Sequence, residues 1–175
     1  MWSSERYVTA LRFAAARHAG QKVPGSELPY LVHVVSVTAE LTSVLPHEAV
    51  GDPDLAVQCA LLHDTLEDTE TSLDDLVRSF GAEVAAGVQA LTKNAELPKS
   101  ERMADSLRRI RLRPREVWLV KLADRITNLA PAPPSWSGEK RLAYLAEARE
   151  IQAALAEASP LLGARLAARM ATYLG

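Results

Sequence analysis

Eight mostly apolar residues, Leu55-Ala56-Val57-Gln58-Cys59-Ala60-Leu61-Leu62, run without a break into His63-Asp64-Thr65-Leu66-Glu67-Asp68. A helix that is apolar on nearly all sides belongs at the centre of a bundle, yet this one leads into four ionisable groups. Such groups at the end of a buried helix are costly unless something compensates them. On a helix advancing about 100° per residue, positions 63, 64, 67 and 68 fall within an arc of about 140°. One imidazole and three carboxylates then share a side, and a bound divalent cation is the simplest remedy for their repulsion. The plainer alternative is a solvated terminus, with Glu67 and Asp68 in water and His63 as a cap.

The rest of the chain reads as helix throughout. It is rich in Ala, Leu, Glu and Arg and lacks the alternation that marks strands. The expected class is all-α, a bundle of about eight helices in one domain spanning residues 1–175. A first helix is predicted over 4–18, with Tyr7, Leu11, Ala14 and Ala15 on one face, and a loop over 20–28. A second starts near Pro29, which suits a first-turn position. Pro46 to Pro53 forms a linker, and the third helix begins at Asp54. Ser72 caps a short helix ending at Phe80, with Asp75 completing an approximate capping box. Further helices follow over 83–92, 99–111, 115–128, 138–158 and 161–173, with Pro131, Pro133 and Pro134 terminating the one over 115–128. The last helix either closes the core or offers a dimer face, core closure being the default.

A formal net charge of −2 argues against a general nucleic-acid binder, which needs a basic surplus. The one cysteine, Cys59, excludes an intramolecular disulfide and sits in the apolar run, as an inert buried thiol would. The opening residues, Met1-Trp2-Ser3-Ser4-Glu5-Arg6, lack the apolar stretch of a signal peptide, and no run approaches the ~20 apolar residues that span a bilayer. The expected compartment is the cytoplasm, with no membrane or nucleic-acid partner.

Two other segments place ligand-type residues inside apolar helices. His33 lies within Leu31-Val32-His33-Val34-Val35, where a core histidine bonded to a backbone carbonyl is the alternative. Asp124 lies in Val117-Trp118-Leu119-Val120-Lys121-Leu122-Ala123-Asp124-Arg125. Its helix has a core stripe of Leu119, Leu122, Ile126 and Leu129, while Lys121, Asp124 and Asn128 share another face. A buried aspartate paired only with Arg125 is the alternative there. Together, His33, His63, Asp64 and Asp124 supply two imidazoles and two carboxylates from three helices. That set suits Mn²⁺, Fe²⁺ or Zn²⁺ and is too rich in nitrogen for Ca²⁺.

The order His…His-Asp…Asp resembles the signature of the HD phosphohydrolases. The longer strings His63-Asp64-Thr65-Leu66-Glu67-Asp68 and Val120-Lys121-Leu122-Ala123-Asp124-Arg125-Ile126-Thr127-Asn128-Leu129 are narrower. They resemble the hydrolase domain of the Rel/SpoT proteins and the small alarmone hydrolases. Phe13-Ala14, His18-Ala19-Gly20-Gln21, Pro29-Tyr30-Leu31-Val32-His33, Leu97-Pro98-Lys99 with Arg102, and Trp136 with Tyr144 extend the likeness over residues 7–151. The resemblance implies one Mn²⁺ held by His33, His63, Asp64 and Asp124, with Glu67 and Asp68 activating or orienting water. It implies hydrolysis of the 3′-pyrophosphate of guanosine or adenosine alarmones. Asn128 matches a ribose contact, and Tyr30 and Tyr144 match pocket residues. Lys99, Arg102 and Lys140 are candidates for distal phosphates.

The first loop, Gln21-Lys22-Val23-Pro24-Gly25-Ser26-Glu27, departs from the family's Arg-Lys pair, leaving Lys22 with Val23 in the arginine's place. Val34 replaces a common proline, and Ala130-Pro131 a polar segment. These changes bear on the base more than on the hydrolysis. Two further readings stand beside an alarmone hydrolase. One is an HD phosphohydrolase acting on a dNTP, a nucleoside monophosphate or NADPH, and the other is a non-catalytic nucleotide-binding module.

Overall fold

Every residue from Leu55 to Leu62 is buried, which a helix achieves only with neighbours on all sides. The computed structural model describes residues 1–129 and 136–174. It shows the helices α1 (Ser4–Arg17), α2 (Leu31–Thr42), α3 (Pro53–Leu62), α4 (Thr65–Asp68), α5 (Leu73–Phe80), α6 (Ala82–Leu91), α7 (Lys99–Arg111), α8 (Arg115–Asn128), α9 (Gly138–Leu155) and α10 (Pro160–Thr172). The all-α expectation holds, with no named strand among the described residues and one isolated bridge, Lys22 to Pro29, in the first loop. α3 packs against α1, α2, α6 and α8, and α2 also lies along α8. α8 is buried almost all round, its stripe of Leu119, Leu122, Ile126 and Leu129 included. No described helix is long and apolar enough to cross a membrane.

The last helix closes the core. Leu162 and Leu166 of α10 are fully buried, and the helix packs on α8 and α9. Ser72 forms the expected capping box with Asp75, and Cys59 is buried with its thiol pKa pushed up, chiefly by burial.

Three differences from the sequence reading exceed a one-residue shift of a helix end. α2 begins at Leu31, with Pro29 in the preceding turn. The long helix predicted over 138–158 ends at Leu155 and passes through a 3-10 turn, Ala156–Ala158. The reason is local: Ser159 Oγ accepts from the Leu162 amide, so Pro160 can open α10 only if the preceding helix has stopped. The third difference matters most. The predicted third helix breaks after Leu62, because side chains take its last carbonyls. His63 Nδ1–H donates to Ala60 O at 2.8 Å, and Thr65 Oγ1–H to Leu62 O at 2.7 Å. Pro131, Pro133 and Pro134, and the Ala130-Pro131 substitution, lie outside the described residues.

One glycine reports how tightly α3 is enclosed. A Cβ on Gly87 of α6 would lie 2.7 Å from Cys59 Sγ and 3.1 Å from Val117 Cγ2. Alanine in a helix interior gains about 1 kcal/mol over glycine, whereas overpacking a core costs about 1–3 kcal/mol. The clash wins. Gly87→Ala is expected to lower the urea midpoint, by about 1–2 kcal/mol of stability at unchanged m-value. A midpoint that holds or rises means that the α3–α6 contact yields.

Candidate metal centre and cleft

The break after Leu62 decides where the ionisable groups point. His63 caps α3, Asp64 sits in the turn at φ −100° and ψ −1°, and α4 then carries Glu67 and Asp68. A single continuous arc is therefore the wrong geometry, but the convergence survives: His63, Asp64, Glu67 and Asp68 all line one cleft. The cleft encloses about 150 Å³, less than the ~300–1,000 Å³ usual for small-molecule sites, so a nucleotide would extend beyond its mouth.

His33 from α2 and Asp124 from α8 complete the inner end. His63 Nε2 lies 2.9 Å from Asp64 Oδ2 and 3.8 Å from Asp124 Oδ1. His33 Nε2 lies 3.6 Å from each of the same two oxygens. Donors bonded at about 2.1 Å to one ion stand about 3.0 Å apart at right angles and about 3.4 Å apart in a tetrahedron. The observed spacings bracket those values, and His33, His63 and Asp64 form one compact donor cluster. His63 adds an independent sign. A carbonyl can only accept, so Nδ1 keeps a proton, and the buried Nε2, 2.9 Å from Asp64 Oδ2, is the nitrogen free to give up its proton to a cation. A ring anchored in that way presents a ligand nitrogen. The donor set fits a divalent cation.

The surroundings orient these groups. Tyr30 donates its hydroxyl to Asp64 Oδ2 at 2.6 Å. Lys121, which is buried, lies 3.1 Å from Asp124 Oδ2, while Asn128 donates to Asp124 Oδ1. Burial alone would raise the Asp64 carboxyl. His63 beside it and the hydrogen bonds from His33, His63 and Tyr30 hold it well below the usual carboxylate range. Burial would likewise raise Asp124, but Lys121 and His63 keep it lowered. For His63, burial pulls the pKa down, and the two aspartates outweigh it, bringing it up to about 9.

That shift has a sign. Without metal, His63 contributes stability that is complete below its ordinary value of 6.5 and is lost as pH rises through about 9. A cation binds the unprotonated Nε2, so its affinity rises over the same window. The Tm of metal-free protein should fall by several degrees between pH 6.5 and pH 9. The increment in Tm on adding Mn²⁺ should grow across that range. An increment independent of pH would contradict the assignment of His63.

Further out, Glu67 and Asp68 are exposed but held. Glu67 Oε2 accepts from the Lys93 amide at 2.9 Å, and Asp68 Oδ2 accepts from Gln21 Nε2 at 3.4 Å. Gln21 is in turn bound through Oε1 to His18 Nδ1 at 2.7 Å. Tyr30, Asn128 and Tyr144 line the cleft with these groups.

His33 lies behind that lining, and four of the substrate-contact candidates named from sequence lie outside it. Lys22 pairs with Glu27 in the first loop. Arg102 donates to the carbonyls of Leu97 and Ala95, both at 2.8 Å, clamping the loop before α7. Lys140 stands 4.1 Å from the centre of the Trp136 ring. Lys99 is exposed at the start of α7.

Arg125 is not the partner of Asp124. It binds Glu147 at 2.9 Å and stacks 4.0 Å from the centre of the Tyr144 ring, because adjacent helical residues face different ways. Sequence reasoning missed Lys93 and Arg125 as cleft residues. Arg125 stood next to Asp124 and could have been found as a neighbour of that face. Lys93 lies in an irregular loop where no periodicity applies.

The HD-domain family matches the chain over residues 10–162. Among curated relatives, the guanosine-3′,5′-bis(diphosphate) 3′-pyrophosphohydrolase MESH1 of Danio rerio is 35% identical over 146 residues, covering 81% of this chain and 79% of that protein. The enzyme of the same name from Homo sapiens is 38% identical over 148 residues, covering 81% and 80%. A solved structure of a metazoan SpoT ortholog, described as hydrolysing ppGpp, superposes with a TM-score of 0.83 at 28% identity, covering 98% of this chain and 97% of that one.

Proposed function

The chain belongs to the HD-domain family, and from that premise we propose that it is a metal-dependent hydrolase of guanosine 3′,5′-bis(diphosphate), removing the 3′-diphosphate. The observation that carries the reading is the compact cluster of His33, His63 and Asp64, with Asp124 Oδ1 3.6 and 3.8 Å from the two imidazole nitrogens. Relatives covering most of the chain bear the name of that activity.

In this reading His33, His63, Asp64 and Asp124 would hold one ion, taken as Mn²⁺, with Fe²⁺ and Zn²⁺ compatible with the same donors. When bound, the cation neutralises phosphoryl charge and lowers the pKa of water. Water adds to the phosphorus attached to the ribose 3′-oxygen, that P–O bond breaks, and pyrophosphate leaves a nucleotide with a free 3′-hydroxyl. Glu67 has Oε2 fixed by the Lys93 amide, which leaves Oε1 to take the proton of the attacking water. Asp68, with Oδ2 held by Gln21, orients that water through Oδ1. Asn128 donates its amide to Asp124 and offers its carbonyl oxygen to a ribose hydroxyl. Tyr30 fixes Asp64, and Tyr144 forms the nucleoside wall. Lys99 is free to approach a distal phosphate, whereas Lys22, Arg102 and Lys140 would first have to give up the partners described above.

The substrate is tested by incubating metal-loaded protein with ppGpp, ppApp and NADPH and following each product. Turnover of ppGpp is expected, and the ratio to ppApp measures what Val23 in the first loop does to base choice. Turnover of none of the three sinks the proposal. NADPH as the only substrate would move the chain to a different phosphohydrolase class.

A further inference from the structure

Three cationic side chains line the cleft: Lys93, Lys121 and Arg125. Lys121 is paired with Asp124, and Arg125 with Glu147. Lys93 is different. It is half-buried, and among the described residues no carboxylate oxygen lies within 4.0 Å of its Nζ. Its one hydrogen bond to a side chain uses the backbone, donating N–H to Glu67 Oε2 at 2.9 Å. An ammonium on the wall of a cleft, with no internal counter-charge, is placed for an anion that comes from outside.

The loop that carries it is anchored on both sides by arginines of α7. Arg109 donates to Gln89 O at 2.6 Å and to Thr92 O at 2.7 Å, and Arg102 donates to Leu97 O and Ala95 O. The main chain at Lys93 is therefore fixed, and only the side chain has freedom to reach a ligand. The cleft is also divided by chemistry. α8 and α9 contribute Asn128 and Tyr144, a neutral amide and an aromatic ring, whereas Lys93 stands beside the carboxylates of α4.

We propose that Lys93 binds the diphosphate that is cut away, and so makes the site selective for a 3′-diphosphate over a 3′-monophosphate. The inference rests on the function proposed above. The leaving group carries most of its charge on the phosphate remote from ribose. In a cleft lined by Asp64, Glu67, Asp68 and Asp124, that phosphate needs a cation of its own.

Lys93→Met keeps the stem and the backbone amide that holds Glu67, and removes the charge alone. In metal-loaded protein it is expected to raise KM for ppGpp by roughly 10- to 100-fold, the scale of one charge-assisted hydrogen bond, with a smaller change in kcat. Inhibition by pyrophosphate should weaken by a similar factor, while inhibition by guanosine 5′-diphosphate and the metal content stay unchanged. Lys93→Arg should restore most of the pyrophosphate affinity. Unchanged pyrophosphate inhibition, or equal weakening of both products, overturns the assignment. If the unaltered protein does not turn over ppGpp, the functional reading fails. Calorimetric binding of pyrophosphate to the two metal-loaded proteins then decides Lys93: weaker binding by Lys93→Met upholds the anion site, and equal binding removes it.

Discussion

Asp64→Ala is expected to leave the protein folded, without its metal and without measurable turnover. Asp64 Oδ2 is the oxygen nearest His63 Nε2, at 2.9 Å, and it also approaches His33 Nε2 at 3.6 Å and accepts the Tyr30 hydroxyl. Removing it takes away one of two carboxylates and leaves two imidazoles with Asp124 alone, a poor site for a hard divalent ion. A bound cation stabilises several kcal/mol of transition-state charge, so kcat/KM should fall by roughly 10³-fold or more. Elemental analysis after gel filtration reads the metal directly. Retention of one ion per chain in the variant would show that the ligands lie elsewhere.

Glu67→Gln should separate chemistry from metal binding. The replacement amide keeps an oxygen for the Lys93 N–H, so the loop contact is preserved. Metal content and Tm should match those of the unaltered protein, while kcat falls by roughly 10²- to 10⁴-fold, the range for loss of a general acid or base. KM should change little, because Glu67 is assigned to the proton of water and not to the nucleotide. A variant that turns over at the normal rate would pass the role to Asp68, which occupies the same helix with its own anchor at Gln21.

The proposed ligand residues are legible in the sequence because they break a pattern. His33, His63 and Asp124 are polar groups inside apolar helices, and burial without purpose is expensive. The all-α class and the central position of the third helix follow from the same apolar run. The break at His63-Asp64 is not legible there. Residues 62–68 hold no Gly or Pro to mark a stop, and what ends α3 is a pair of side-chain donors that claim the carbonyls of Ala60 and Leu62. That competition depends on rotamers, which a pattern of residue types does not contain.

The cationic residues show a second boundary. Lys22, Arg102 and Lys140 can be named as phosphate ligands from their charge, but charge does not reveal a prior partner. Glu27, two loop carbonyls and the Trp136 ring are those partners. Lys93 shows the converse case, a cation overlooked in a loop because nothing periodic marks it, and conspicuous because, among the described residues, no carboxylate oxygen lies within 4.0 Å of its Nζ.

In the proposed reaction, water attacks the phosphorus beside the ribose 3′-oxygen and releases pyrophosphate intact. The most direct test lets the Mn²⁺-loaded protein consume ppGpp in water enriched in heavy oxygen and weighs both products by mass spectrometry. Pyrophosphate carrying one heavy oxygen, with unlabelled guanosine 5′-diphosphate, is the expected result. Heavy oxygen in the nucleotide, or orthophosphate in place of pyrophosphate, would contradict it.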